Sequence, residues 1–145
     1  AIRGVVPGAD PLPVLIDNTG RLAVGTSSRT VKDAIADMGE TSEILMNLRP
    51  VTFHYRDRAA AGDLRRQYGL IAEEVAKVAP DLVAHSADGG IESVFYQHLP
   101  PMLLNEYQKQ QRTIRAQAGE LARQRARMET LERELQTIKS MLGAR

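Results

Sequence analysis

Apolar residues in the last third of the chain recur at alternating spacings of three and four, which is the heptad repeat of a coiled coil. After Pro101 there is no further proline, and Ala, Gln, Glu, Arg and Leu dominate, all of which are good helix formers. The pattern therefore predicts one long helix from about Leu99 onward. Its position a holds Tyr107, Ile114, Leu121, Met128, Leu135 and Leu142, and its position d holds Leu103, Gln110, Gln117, Gln124, Leu131 and Ile138.

A single helix with so narrow an apolar stripe leaves that stripe half exposed, so it favours identical partners. Position a lacks the bias towards β-branched residues that is typical of parallel dimers. The end of the helix with Leu135 and Ile138 resembles the seams of higher-order coiled coils, and together these features favour three strands over two. Glutamine at positions 110, 117 and 124 has two interpretations. Either each amide bonds to its copies and fixes the register, or this part of the seam is loosely packed and wet.

Upstream of this helix, the first 26 residues combine a linker with a β-hairpin. Residues 1–13 are rich in proline and glycine, which limits regular hydrogen bonding. In VLIDNTGRLAV, residues 14–24, two apolar runs flank the turn-forming stretch 17–20, which predicts a hairpin. The chain starts at Ala1 without methionine, and we expect it to be the tail of a longer protein.

A small globular region follows the hairpin, and its pattern mixes short helices and short strands. We expect a helix from Ser28 to Met38 that ends at Gly39, and a second one over residues 41–48, capped by Thr41 or Ser42. In residues 50–57, Val51, Phe53 and Tyr55 alternate with polar residues, which predicts a strand with one buried face.

The rest of the globular region continues in the same manner. Residues 58–66 are expected to be an exposed connection, residues 68–71 a buried strand, and the following residues a short helix through Val75 and Val78 that ends at Pro80. Two apolar stretches, 82–86 and 91–96, flank the turn signal at 87–90 and predict a hairpin. The fold class is therefore α+β with antiparallel strands, and the domains are 1–26, 27–98 and 99–145.

Composition excludes several classes of function. The net charge is +1, which disfavours strong binding to nucleic acid or a membrane surface, and no apolar run is long enough to span a bilayer. The chain has no cysteine, and its three histidines, at 54, 85 and 98, lack metal-ligand spacing, so we expect neither a metal nor a cofactor.

Two further motifs in the sequence are weak. Arginines at 123, 125 and 127 precede zipper-like leucines, but they are too sparse for a basic-zipper DNA-binding helix. The acidic pair Glu73 and Glu74 has no partnered His or Asp nearby in sequence, and a solvated helix start explains it better than acid–base chemistry.

Ser27 and Lys32 are the candidate catalytic residues. Five residues of α-helix would place them about 140° apart, so they meet only if Ser27 precedes the helix and the chain bends back. A neutral lysine can take the proton of a serine hydroxyl, and free N–H groups at a helix start can hold an oxyanion. From spacing alone, a helix cap and a surface lysine explain this pair better than catalysis does.

Four stretches give the chain a specific resemblance to a known family. They are SSRTVKDAI at 27–35, LRPVTFHY at 48–55, YGLIAEEVAKVAPDLV at 68–83 and VFYQHLPPMLLNEYQKQQRTI at 94–114. In this order they resemble the C-terminal intramolecular chaperone domain of phage tail fibres and endosialidase tailspikes, peptidase family S74, which also occurs in a eukaryotic myelin-gene regulatory factor. Residues 14–24 look like the end of the fibre to which such a domain is attached.

The resemblance implies a homotrimer that nucleates folding of the fibre segment upstream of it and then cuts itself off once. The family motif Ser-Asp-x-x-x-Lys places the catalytic serine at Ser27 and the lysine at Lys32, while Ser28 stands at the Asp position. The resemblance leaves open which bond beside Ser27 is cut. It implies a place on the virion tail fibre, or in the cytoplasm of an infected bacterium after release. The alternative is a trimeric fibre tip that never cleaves.

Overall fold

The computed structural model describes residues 8–143, so the predicted linker residues 1–7 and the last two residues of the predicted helix lie outside it. The elements in chain order are β1 (Val14–Ile16), β2 (Leu22–Val24), a 3-10 turn (Arg29–Val31), a 3-10 helix (Thr41–Asn47), β3 (Val51–Phe53), α1 (Arg56–Ala60), β4 (Gln67–Gly69), α2 (Ala72–Val78), a 3-10 turn (Pro80–Leu82), β5 (Val83–His85), β6 (Ile91–Val94), a 3-10 turn (Tyr96–His98) and α3 (Leu99–Gly143). The fold is α+β, as predicted, and its strands pair as three antiparallel hairpins.

The first hairpin joins β1 to β2 in the predicted place, with Val14 opposite Val24 and Ile16 opposite Leu22. The carboxylate of Asp17 fixes its turn by accepting hydrogen bonds from the N–H and hydroxyl of Thr19, at 2.9 and 2.7 Å. These bonds, together with one from the Arg21 N–H, hold the pKa of Asp17 below its ordinary value. The turn is thus built from local polar contacts and does not need a core beneath it.

The second hairpin is shorter than the sequence indicates. β3 ends at Phe53, and Tyr55 is 55% exposed instead of lying on the buried face, because the chain leaves the sheet there and starts α1. The guanidinium of Arg58 lies 5.8 Å from the centre of the Tyr55 ring. The prediction of a buried strand from Tyr68 is also wrong, since Tyr68 is 76% exposed on β4.

The segment predicted as an exposed connection, residues 58–66, includes the last three residues of α1. The 3-10 helix before β3 also differs from its prediction. Neither Thr41 nor Ser42 caps that helix, because both residues lie within it. The N-cap residue is Glu40, which makes no side-chain capping bond. A run of 3-10 geometry over seven residues is long, since eclipsed side chains and poorer hydrogen bonds disfavour it.

The hydrophobic core of the globular part lies between α2, the third hairpin and the first turn of α3. It consists of Val75, Ala79, Leu82, Val83, Val94 and Met102, and partly buried residues from the 3-10 helix pack against it, Ile44 and Leu45 among them. The N–H of Phe95 donates to the carbonyl of Leu82 at 2.9 Å and extends the third hairpin towards this core. A core this small stabilises the domain only modestly.

Two contacts outside the core connect distant segments. The hydroxyl of Tyr96 accepts a hydrogen bond from the N–H of Leu70 at 2.8 Å, and a Cβ on Gly69 would lie 2.6 Å from that hydroxyl. Arg49 forms a two-pronged ion pair with Glu74 of α2, with Nε 3.0 Å from Oε2. Glycine at 69 therefore leaves room for the tyrosine contact, and Arg49 ties the end of the 3-10 helix to α2.

The long helix α3 runs from Leu99 to Gly143, as the heptads predict, with Pro100 and Pro101 in its first turn, where proline is tolerated. The chain divides into two compact units, one up to Met102 and one from Leu103 onward. In the second unit, the apolar side chains at positions a and d are about half exposed or more, from Leu131 at 49% to Leu142 at 71%. None of the helices within residues 8–143 is apolar enough over sufficient length to cross a bilayer.

We predict that Leu82→Ala lowers the free energy of unfolding by about 2–5 kcal/mol, because it removes buried methyl groups from a small core. Leu82 is 6% exposed. The matched control is Leu64→Ala, since Leu64 is 69% exposed, and it should change stability by no more than about 0.5 kcal/mol. Chemical denaturation of the two variants measures both changes, and equal losses would contradict this description of the core.

The Arg49–Glu74 pair predicts a specific loss of stability in acid. The hydrogen bond from Arg49 holds the pKa of Glu74 below its ordinary value, so the carboxylate is easier to ionise in the folded chain than in the unfolded one. The contribution is fully present above about pH 5 and disappears as pH falls below about 4, through the lowered pKa. Glu74→Gln should flatten the pH dependence of the denaturation midpoint in this window, whereas Glu73→Gln should leave it as in the unmodified chain.

Candidate active site

The candidate site begins directly after the first hairpin. The N–H of Gly25 donates to the carbonyl of Pro13 at 2.9 Å, which adds one more bond beyond the β1–β2 ladder. A Cβ on Gly25 would lie 3.4 Å from the ring of Pro13, so the two segments approach closely at this point. Thr26 and Ser27 follow at once, and the hairpin thus fixes where the chain enters the site.

The predicted helix from Ser28 to Met38 is wrong. Only one 3-10 turn forms, over Arg29–Val31, with Ser28 as its N-cap. The hydroxyl of Ser28 accepts a hydrogen bond from the Thr30 N–H at 3.3 Å and lies 2.8 Å from the Thr30 hydroxyl. Lys32 closes the turn with its N–H bonded to the carbonyl of Arg29, and its own backbone is already extended.

Backbone conformation explains why the helix does not continue. Ala34 adopts a left-handed φ of 48°, which costs an L-residue roughly 1–2 kcal/mol and cannot be part of a right-handed helix. The carboxylate of Asp33 accepts the Ala34 N–H at 2.7 Å, a local bond that competes with helix formation. The chain then runs without regular structure to Gly39, whose φ is also positive, at 55°.

The turn brings Ser27 and Lys32 together. Lys32 Nζ donates a hydrogen bond to Ser27 Oγ at 2.8 Å, within the range expected for a nucleophile and its base. The contact arises because Ser27 precedes the turn and Lys32 follows it, with extended backbone at Ser28 and at Lys32, so the chain reverses between the two side chains. Both residues are exposed in the single chain. The arrangement can transfer a proton from the serine hydroxyl to an uncharged lysine amine.

The expected oxyanion donors are not assembled as the helix hypothesis requires. A three-residue turn lacks the row of free N–H groups and the dipole of an α-helix start. The Thr30 N–H is already bonded to Ser28 Oγ, and the Val31 N–H to the Ser28 carbonyl at 3.2 Å. These two N–H groups are therefore not free to hold an oxyanion.

The remaining candidate residues lie apart from this pair. His54 contacts the carbonyl of Arg65 through Nδ1 at 3.2 Å, and His98 packs beside the ring of Phe95. No group of three or more His, Asp or Glu side chains within the part of the chain that is described is placed to hold a metal ion. Glu74 lies in the first turn of α2, where it forms a structural ion pair with Arg49 that was not predicted from the sequence.

Two residues that form important contacts were not predicted from the sequence. Thr30 completes the cap with Ser28, and a Ser-x-Thr spacing is a signal for such a turn. Arg49 is the partner of Glu74, but the two residues are far apart in sequence and no local pattern links them.

Comparison with known sequences adds an independent observation. A sequence model of the peptidase S74 family, described as chaperone of endosialidase, matches residues 27–84. The match starts at Ser27, the first residue of the pair, and covers most of the globular part. A search of curated proteins found no match. Together with the α+β fold, this match supports a peptidase S74 domain, described as chaperone of endosialidase, over residues 27–84.

Proposed function

We propose that this chain is the self-releasing chaperone end of a trimeric phage tail fibre or tailspike. Three copies associate through α3, this assembly nucleates folding of the fibre segment ahead of Ser27, and the Ser27–Lys32 pair then cuts the chain once. The observation that carries the proposal is the 2.8 Å hydrogen bond from Lys32 Nζ to Ser27 Oγ at the first residue of the family match.

Trimer formation is supported by the apolar stripe of α3. Its side chains at positions a and d remain exposed in the single chain, and burial of each leucine would stabilise an assembly by about 1.5–3 kcal/mol. Leucine and isoleucine at 135 and 138, together with the absence of a β-branched bias at position a, favour three strands. The partner is therefore the same chain.

A role for assembly in folding the upstream segment is supported by the first hairpin. The strand residues of β1 and β2 are exposed on both faces, with Ile16 at 67% and Leu22 at 74%. An isolated two-stranded hairpin is marginally stable in water. Copies held together at α3 raise the effective concentration of the hairpins, so that apolar residues on both faces can be covered by neighbouring chains.

The chemistry follows from the two side chains. Lys32 takes the proton of Ser27 Oγ, and the oxygen attacks the carbonyl carbon of Thr26, because this closes an unstrained ring whereas attack on its own carbonyl closes a strained one. The Thr26–Ser27 C–N bond breaks, and the nitrogen receives the proton from Lys32. Water then hydrolyses the resulting ester and restores the serine hydroxyl.

Assembly supplies a means of timing the cut. In the single chain both side chains are exposed to water. If copies of the chain cover this site in the trimer, water is excluded from the pair, and exclusion of water generally favours the uncharged form of an amine, which is the form that acts as a base. Cleavage would then follow assembly and leave the fibre on the virion, while the released domain remains in the cytoplasm of the infected bacterium.

We predict that Ser27→Ala and Lys32→Ala each abolish cleavage, because one removes the nucleophile and the other the base. Mass spectrometry of the freshly expressed 145-residue chain should show fragments that end at Thr26 and begin at Ser27, and each variant should show only the intact chain. Lys77→Ala is the matched control, since Lys77 is also exposed but lies on α2, and it should cleave normally.

The same measurement separates the proposal from a fibre tip that never cleaves. The observation favouring that second function is Ser28, which stands where the family motif has Asp. An unmodified chain that stays intact while Ser28→Asp is cut would assign the loss of cleavage to this departure. If both remain intact as trimers, the chain is a static tip.

We predict that the chain is a trimer in solution and that Leu135→Glu weakens its association by tenfold or more. The substitution removes a buried leucine worth about 1.5–3 kcal/mol per chain and places charges in the seam. Ala126→Glu is the control, because position f faces away from the seam. Sedimentation equilibrium measures the mass of each species, and a monomeric unmodified chain would contradict the proposal.

A further inference from the structure

Charged residues flank the apolar stripe of α3 over three consecutive heptads. Positions e and g lie on either side of the a and d seam, where they can contact a neighbouring helix. In the segment 120–139, position g holds Glu120, Arg127 and Glu134, and position e holds Arg125, Glu132 and Lys139. All six are exposed in the single chain.

Parallel helices in register bring position g of one chain beside position e of the next heptad of its neighbour, five residues further on. For this chain, that rule pairs Glu120 with Arg125. It pairs Arg127 with Glu132 in the next heptad and Glu134 with Lys139 in the one after. Each of the three pairs joins opposite charges.

The sign of the charge alternates from one heptad to the next at both positions. The match of opposite charges between neighbouring helices therefore depends on their register. A slip of one heptad places Glu120 beside Glu132 and Arg127 beside Lys139, while the opposite slip places Arg127 beside Arg125. An antiparallel pair centred on Arg127 places Arg127 beside its own copy and Glu120 beside Glu134. Each of these arrangements replaces attraction with repulsion, which costs association free energy of similar size to the attraction lost.

The side chains are available for such contacts. Within residues 8–143, the charged groups of Arg125, Arg127, Glu132, Glu134 and Lys139 form no ion pair. Glu120 contacts Arg123 of its own helix at 2.7 Å, but its side chain is still 53% exposed. A carboxylate can accept further hydrogen bonds, so this contact does not prevent a second one from a neighbouring chain.

We infer that these six residues form a register code, which selects parallel copies of this chain aligned to within one heptad. The inference rests on the proposed function for the assembly itself and goes beyond it in naming what fixes the alignment. Most of the segment's a and d residues, such as Leu121, Met128 and Leu135, are apolar side chains of similar volume that do not by themselves distinguish one heptad from the next. The charges supply that distinction.

Charge reversal tests the code. The e-reversed variant, Arg125→Glu with Glu132→Lys and Lys139→Glu, turns every pair into a like-charge pair and should weaken trimer association by about tenfold or more at low salt. Adding Glu120→Lys, Arg127→Glu and Glu134→Lys restores opposite charges and should restore association. Sedimentation equilibrium on the full chain measures both.

A matched control carries the same charge changes on the outer face. Arg112→Glu, Glu129→Lys and Arg133→Glu lie at positions f, b and f, and they should leave association within about threefold of the unmodified chain. Because the proposed pairs are exposed, the defect of the e-reversed variant should shrink in about 1 M salt. The inference is overturned if the association defect persists in high salt. It is also overturned if the variant with all six substitutions associates no better than the e-reversed variant.

Register can be read directly even if a variant changes stability. The chain has no cysteine, so Met128→Cys introduces a single thiol at position a. Identical a positions come close enough for a disulfide only in parallel helices in register. Oxidation should cross-link this variant efficiently, and much less so in the e-reversed background.

Equal cross-linking in both backgrounds overturns the inference while leaving the trimer intact. A chain that never associates instead contradicts the proposed function. The two failures are therefore distinguishable.

Discussion

Burial of apolar side chains is the constraint on which the properties of this chain depend. Its globular part encloses a small core around Val75 and Leu82, while large apolar residues remain exposed both in the first hairpin and along α3. Each exposed leucine forgoes about 1.5–3 kcal/mol that burial would provide. The chain can therefore gain stability from association, and on the proposed function both exposed regions gain it from the same event.

The position of Ser27 links the two regions. It lies shortly after the hairpin and is the first residue of the peptidase S74 match. On the proposed function, a cut there separates residues that stay with a fibre from those that leave with α3. The contact with Lys32 depends on one short turn, capped by Ser28 and Thr30 and followed by the left-handed Ala34. Because such a turn has little burial of its own, its geometry is open to adjustment by whatever packs on it.

Much of the architecture was predictable because its signals are local and repeated. The heptads specify α3 over its whole length, and the turn residues at 17–20 and 87–90 specify two hairpins. The helix predicted after Ser28 does not form because Ala34 adopts a left-handed conformation, which its residue type does not predict. The prediction that Tyr55 is buried is wrong because the strand ends two residues before it. The contact between Lys32 and Ser27 depends on this same turn. The spacing of the two residues in the sequence showed only that Ser27 would have to precede the turn for the side chains to meet.

On the proposed function, the cut also decides what must hold the fibre together afterwards. The released domain takes α3 and its register code with it, whereas β1 and β2 stay behind. Those strands then rely on apolar contacts formed during assembly, since the effective concentration supplied by α3 is gone. A fibre that unfolded after release would have no nucleus from which to refold. Its persistence would be governed by the rate of unfolding and no longer by an equilibrium with separated chains.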